Sequence, residues 1–215
     1  MSPIPSFGFG VPLVTLTDDN GEVDPHSTRR TWDRMFPLVD IPVILGTTGR
    51  GRQILNSDLS QARALVDIGV ELARKHNKAL VVGAGAETVE RARDLTEYVA
   101  AHDVFAVLVS APIYAASPFA QSLASSPLSH EYQEKLADAY FSPVVHAIPR
   151  GSHTKFLFYI FPTLTENDPR GALRPEVLNR LLDEAARSGR QIDGGKLTIR
   201  DDNVPLDYAQ KCPDL

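Results

Sequence analysis

The chain has 215 residues, of which 43% are hydrophobic and 23% are charged, an ordinary composition for a globular protein. Its net charge of −5 argues against nucleic acid or an anionic membrane surface as a partner. No apolar run is long enough for a membrane-spanning helix, and no signal peptide is evident at the start. A single cysteine, Cys212, rules out an internal disulfide and is typical of a reducing compartment. We therefore expect one cytoplasmic domain over residues 1–215.

Apolar runs of strand length alternate along the chain with amphipathic stretches of helix length. Such alternation predicts βα units and a parallel sheet. Two architectures remain open from this pattern, a doubly wound sheet and a (β/α)₈ barrel, and both place their sites just after the strands. The six predicted strands cover residues 11–16, 41–45, 79–82, 104–110 and 155–162, with a sixth that carries Lys196.

The predicted helices begin at recognisable caps. Asp24 is expected to cap a helix over 25–38 that has Pro25 in its first turn. Asn56 or Ser57 is expected to cap the next helix, whose apolar residues recur from Leu59 to Ala73 at helical spacing. Further helices are predicted over 87–102 and 130–140, and from Pro175 to a stop at Gly189. Polar loops are expected over 117–129 and 163–172.

Two glycine-rich turns follow predicted strands. Gly-Thr-Thr-Gly at 46–49 contains Thr47 and Thr48, and exposed N–H groups in such a turn can bind an anion. Gly-Ala-Gly-Ala at 83–86 is an incomplete dinucleotide fingerprint, because Thr88 replaces the third glycine. His146 and His153 have no acidic or cysteine companion at ligand spacing. We therefore expect neither a cofactor nor a metal.

Lys196 follows two glycines at the end of a short apolar run, with Asp201 and Asp202 beyond it. A lysine that forms a Schiff base must lose its proton, and a dry, apolar barrel mouth would favour the neutral amine. The alternative is a solvated lysine at the end of a strand. The rest of the chain decides between these interpretations.

An ordered set of short motifs covers roughly residues 8–203. The set resembles the dihydrodipicolinate synthase / N-acetylneuraminate lyase family. The motifs are Gly-Val-Pro-Leu-Val-Thr at 10–15, Gly-Glu-Val-Asp at 21–24, Gly-Thr-Thr-Gly at 46–49, Val-Gly-Ala-Gly at 82–85, Pro-Ile-Tyr at 112–114, Tyr-Ile-Phe-Pro at 159–162 and Gly-Gly-Lys at 194–196.

The resemblance implies a TIM barrel and class I aldolase or lyase chemistry on pyruvate or a related 2-oxo acid, with an aldehyde as the second partner. In this family a strand-six lysine forms the Schiff base, which matches Lys196. Tyr159 matches the strand-five tyrosine that shuttles protons. Thr47 and Thr48 match the pair that holds the substrate carboxylate, and Tyr114 matches the aromatic residue that extends the hydroxyl relay.

Three positions depart from the family pattern. Leu164 stands where dihydrodipicolinate synthases usually carry an arginine for a second carboxylate, which argues against that particular activity. Arg50 stands where glutamate usually follows the Gly-Thr-Thr-Gly motif, and Ile160 replaces an asparagine. A competing register also exists, in which the run 143–149 is strand five and His146 takes the place of Tyr159.

A full barrel needs eight strands, and the sequence supplies about six. An incomplete TIM barrel would present unpaired strand edges, which favour association, so a homo-oligomer is expected. A partial barrel, a partner chain over the edges and a truncated gene product all remain open. The second functional hypothesis is a catalytically degenerate paralogue that acts through association, if at all.

Overall fold

The structure is a computed structural model that describes residues 9–102, 104–112, 130–160, 173–190, 192–197 and 210–211. Within these residues six parallel strands form one sheet whose spatial order follows the chain. A doubly wound sheet would reverse its strand order at a switch point, whereas sequential order is that of a barrel. The expected incomplete TIM barrel is confirmed over this part of the chain. Its strands are β1 Gly10–Pro12, β2 Ile41–Ile44, β3 Val81–Gly83, β4 Ala106–Ser110, β5 Lys155–Ile160 and β6 Ile192–Leu197.

Helices connect the strands and pack on one face of the sheet. A 3₁₀ turn, Phe36–Leu38, extends the first helix, and a π-helical turn, Ala137–Phe141, joins the fifth to the sixth. No described helix combines the length and apolarity needed to cross a membrane. The helices are α1 Pro25–Met35, α2 Gly51–Ser57, α3 Leu59–His76, α4 Val89–Ala101, α5 His130–Leu136, α6 Ser142–His146 and α7 Pro175–Arg187.

One predicted helix cap is confirmed and another is wrong. Asp24 caps α1, its carboxylate accepting from the Ser27 N–H at 3.0 Å. Ser57 instead ends α2, where its hydroxyl donates to the Ile54 carbonyl. Asp58 caps α3, because its backbone is extended and its carboxylate accepts from the Ser60 N–H at 2.7 Å.

The two faces of the sheet carry separate apolar clusters, since side chains alternate along each strand. On β4, Val107 and Val109 face the helices and join the main core. The largest fully buried members of that core include Trp32, Phe36, Tyr140, Phe156 and Phe158. The opposite face is the one that a closed barrel would enclose. We call its buried residues the inner cluster: Val43, Val81, Ala106, Leu108 and Tyr159.

The competing register for strand five is wrong. Residues Ser142–His146 form α6, and Val144 and Val145 pack into the core against the helix layer. A short apolar run suits a buried helix as well as a strand, which explains the ambiguity in the sequence. The fifth strand is Lys155–Ile160, so Tyr159 occupies the strand-five position.

Candidate active site

Three polar side chains form a row across β4, β5 and β6. Ser110 pairs in register with Tyr159, and Tyr159 pairs with Lys196. Ser110 is the last residue of β4, and the other two are the penultimate residues of their strands. The row therefore lies at the carboxyl-end rim of the sheet, where parallel α/β folds build their sites.

Lys196 and Tyr159 are in direct contact. The lysine Nζ lies 3.8 Å from the centroid of the tyrosine ring, a cation–π arrangement. Tyr159 is buried within the inner cluster, and only 8% of its surface is exposed. The structure therefore brings together the two residues that the sequence assigned to imine formation and proton transfer.

Lys196 is nevertheless exposed, which corrects the expectation of a dry amine. β6 pairs with β5 on one side, and among the described residues no strand pairs with its other side. The side chain at this edge therefore has a ring beneath it and solvent access elsewhere. A cation–π contact at an exposed site contributes about 0.5–1 kcal/mol, which is enough to orient the lysine but not to dehydrate it.

The Gly-Thr-Thr-Gly turn lies at the same rim, after β2. Thr47–Gly49 forms a 3₁₀ turn, and the N–H groups of Gly49 and Gly51 both donate to the Gly46 carbonyl at 3.1 Å. Thr47 is half-buried, and only the backbone of Thr48 is described. Strands β3, β4 and β5 lie between this turn and β6. The turn thus shares the rim with Lys196 without standing beside it in the sheet.

The backbone at the start of this turn is tightly enclosed. Leu45 has a φ of 53°, a left-handed value that is unusual for a residue with a branched side chain. A Cβ added to Gly51 would lie 2.1 Å from the Leu45 carbonyl oxygen, and one added to Gly83 would lie 2.3 Å from it. Close backbone approach therefore explains Gly83, the first glycine of the incomplete dinucleotide fingerprint.

A buried charge network at the rim was missed from the sequence. The Arg52 Nε donates to the Glu87 carboxylate at 2.7 Å, and its two terminal nitrogens donate to the Ser110 hydroxyl and the Ala111 carbonyl at 2.6 Å each. The side chains of Arg52 and Glu87 are only 4% and 11% exposed. Both residues follow strand ends, which is the signal that could have found them. Their separation by 35 positions concealed the pairing.

This network fixes Ser110, the β4 neighbour of Tyr159. Tyr140 contacts the residue before Glu87, since its hydroxyl donates to the Ala86 carbonyl at 2.7 Å. Burial raises the pKa of Tyr140 above its ordinary value, so the phenol is a hydrogen-bond donor and not an anion. Dry, fully bonded groups thus hold one side of the row in place.

The remaining predicted positions are less informative. Tyr114 and Leu164 lie outside the described residues. Arg50, with a left-handed φ of 61°, turns its guanidinium away to donate to the Thr17 hydroxyl at 2.9 Å. The described ranges contain no group of three histidine, cysteine or acidic side chains that could hold a metal ion. His146 contacts the Ser142 carbonyl on the helix side of the sheet.

Fold and rim together define a barrel of the (β/α) type whose polar groups gather at the carboxyl ends of the strands. No family model matches the chain. It is 28% identical over 127 residues to a 4-hydroxy-tetrahydrodipicolinate synthase from Campylobacter jejuni subsp. doylei, which covers 59% of this chain and 39% of the relative.

Solved structures show the same fold. Dihydrodipicolinate synthase from Bacteroides thetaiotaomicron superposes with a TM-score of 0.69 at 20% identity, covering 99% of this chain and 61% of that one. N-acetylneuraminate lyase from Fusobacterium nucleatum gives 0.68 at 17%, covering 96% and 61%. The chain spans about three fifths of these structures. These similarities agree with the ordered motifs, which resemble the dihydrodipicolinate synthase / N-acetylneuraminate lyase family.

Proposed function

We propose that the protein is a lyase or aldolase that binds pyruvate or a similar 2-oxo acid as an imine of Lys196. The observation that carries this proposal is the contact between Lys196 and Tyr159 on neighbouring strands at the carboxyl-end rim. A nucleophilic amine beside a proton-transferring phenol is the minimum that imine chemistry needs. No cofactor is required for this reaction.

In the proposed reaction the unprotonated Lys196 nitrogen attacks the ketone carbon of the 2-oxo acid. The nitrogen passes one proton to the carbonyl oxygen and the Tyr159 hydroxyl supplies a second, so the oxygen leaves as water and the protonated imine forms. The tyrosine recovers its proton from solvent. The protonated imine withdraws electrons from the neighbouring carbon, so that a C–C bond there can break or form through an enamine. The second product or substrate is an aldehyde.

The other rim residues have proposed roles in the same reaction. Tyr159 carries protons between the lysine nitrogen and the substrate oxygen. Thr47 and Thr48 bind the substrate carboxylate, since the first N–H groups of a helical turn have no carbonyl partner within it. Tyr114 extends the hydroxyl relay. Three strands separate β2 from β6. In this proposal the substrate carboxylate contacts the turn after β2, and the substrate ketone carbon contacts Lys196 on β6.

Borohydride trapping tests the proposal directly. Folded protein is mixed with pyruvate and sodium borohydride, and the intact mass is measured. We expect one reduced pyruvate per chain, absent from Lys196→Ala and retained in Lys135→Ala. Lys135 is a suitable control because it lies on a surface helix, paired with Glu131. A folded wild-type protein that gains no adduct would remove the imine chemistry.

A second candidate is a non-catalytic paralogue that acts through association. The exposure of Lys196 favours it, because imine-forming lysines are typically activated by removal from water. The outer edges of β1 and β6 are unpaired among the described residues and could recruit a second copy. A stable oligomer by light scattering, together with no adduct in the trapping experiment, would favour this candidate.

A further inference from the structure

The direction in which Lys196 points depends on an irregularity in β6. In a regular strand, residues two apart share one face, so 192, 194 and 196 would all point the same way. Ile192 belongs to the main core on the helix side and pairs with Phe156, which also faces the helices. Lys196 instead contacts Tyr159 of the inner cluster. The face has changed between residues 192 and 196.

A β-bulge at Asp193 accounts for the change. Phe156 pairs with Ile192, and the next residue of β5, Leu157, pairs with Gly194. Asp193 is therefore the extra residue, and every residue after it is turned to the opposite face. Gly194 follows the bulge with a φ of 153°, a backbone value that residues with a side chain rarely adopt. One glycine before the lysine thus has a structural reason.

An ion pair holds the bulged residue. The Asp193 carboxylate accepts from Lys155 Nζ at 2.8 Å, and the aspartate side chain is only 6% exposed. Lys155 is the first residue of β5, and its ammonium also lies 5.8 Å from the centroid of the Phe105 ring. A carboxylate this deeply buried is costly without a partner. Lys155 therefore stabilises the bulged conformation over a regular strand.

We propose that Asp193 and Lys155 are positioning residues for Lys196. Together they stabilise the bulge that turns the lysine away from the helix layer and over the Tyr159 ring. The catalytic relevance of this device rests on the proposed function, but the geometry can be tested without substrate.

The test uses the ring contact as a spectroscopic signal. Reductive methylation with ¹³C-formaldehyde labels the lysine side chains, and Lys196 is exposed enough to react. Protons above an aromatic face are shielded, so the dimethyl-Lys196 signal should lie upfield of the other lysine signals. Loss of this signal in Lys196→Arg assigns it. Its return to the ordinary position in Tyr159→Leu shows that the tyrosine ring causes the shift.

Two variants then test the device. We expect Asp193→Ala and Lys155→Met, each checked for folding by circular dichroism, to lose the upfield shift. Lys135→Met, which breaks a surface ion pair, should keep it. The charge-swapped variant with Lys155→Asp and Asp193→Lys should recover it. An unchanged upfield signal in both folded single variants would overturn the proposal, as would a swapped variant that stays unshifted.

The methylation and trapping experiments distinguish failure of the positioning proposal from failure of the imine chemistry. Loss of the shift in both variants, with no pyruvate adduct on the wild type, would support the positioning device and reject the imine chemistry. A wild-type adduct that forms equally fast in Asp193→Ala and Lys155→Met would do the reverse. Deletion of Asp193 is a complementary variant, because it removes the extra residue itself. Regular alternation from Ile192 then leaves Lys196 opposite Tyr159, so we expect this variant to keep the upfield signal.

Discussion

Two corners of the same rim are built in opposite ways. At the arginine corner, Arg52, Glu87 and Ser110 are buried and joined by short hydrogen bonds. At the lysine corner, Lys196 is exposed and lies on the face of a buried Tyr159. The arginine corner pairs its polar groups inside the protein, whereas the lysine corner leaves the lysine nitrogen accessible to a ligand. In the proposed function the second corner carries the reactive group and the first is its rigid support.

The largest expected effect tests the tight backbone behind the Gly-Thr-Thr-Gly turn. In Gly51→Ala the new Cβ would meet the Leu45 carbonyl at 2.1 Å, and backbone cannot yield as a side chain can. We expect the variant either to be absent from the soluble fraction on expression or to show no folded state in a urea titration. Gly46→Ala is the matched control, because its Cβ finds ordinary contacts at 3.8 Å. Equal stability of the two variants would contradict the described packing.

Breaking the arginine corner should be the next largest effect. Arg52→Ala leaves Glu87 buried without this partner, and such losses cost about 3–5 kcal/mol in free energy of unfolding. Arg29→Ala removes a surface ion pair with Glu71, and it should cost less than about 1 kcal/mol. Urea denaturation measures both. If the two variants differ little, the arginine corner is not the rigid support described above.

At the lysine corner we expect the main effect on the rate of adduct formation. Tyr159→Phe keeps the ring beneath Lys196 but removes the hydroxyl that we propose as the proton carrier. We expect about 100-fold slower formation of the trapped pyruvate adduct, the lower end of what general acid–base catalysis contributes. Time-resolved quenching with borohydride gives the rate. A wild-type rate in this variant would remove the tyrosine from the proposed chemistry.

The smallest effect concerns two helix caps that belong to neither corner. Hydrogen bonds from the side chain and N–H of Ser27 lower the pKa of Asp24, and those from Ser60 lower the pKa of Asp58. A lowered pKa in the folded state means that the cap stabilises fully above the ordinary value. This stabilisation is lost as the pH falls below about 4 through the folded value. Urea midpoints should therefore drop in acid, and drop less in Asp58→Ala.

Local patterns were sufficient for much of the fold. The alternating runs identified all six described strands, and Pro25 and Pro175 marked the starts of α1 and α7. The pairing of Tyr159 with Lys196 followed from the family motifs. Short sequence patterns gave the wrong secondary structure where contacts with residues distant in sequence decide it. The run around His146 became a helix because it packs into the helix layer.

Other features needed the assembled sheet. The bulge at Asp193 exists only in the register between β5 and β6, which neither strand encodes alone. Arg52 and Glu87 look like ordinary charged residues until folding places them side by side. The exposure of Lys196 likewise follows from its strand's place at the edge of the described sheet, and not from the residues around it in sequence.

Peptide mapping of the borohydride-reduced pyruvate adduct is the most direct test of imine formation at Lys196. The chain has six lysines, and several, including Lys75 and Lys135, are exposed. At low pyruvate concentration we expect the adduct on Lys196 alone, because among the described lysines Lys196 is the one that lies at the rim against the Tyr159 ring. An adduct spread over the exposed lysines, or found on another one, would contradict it.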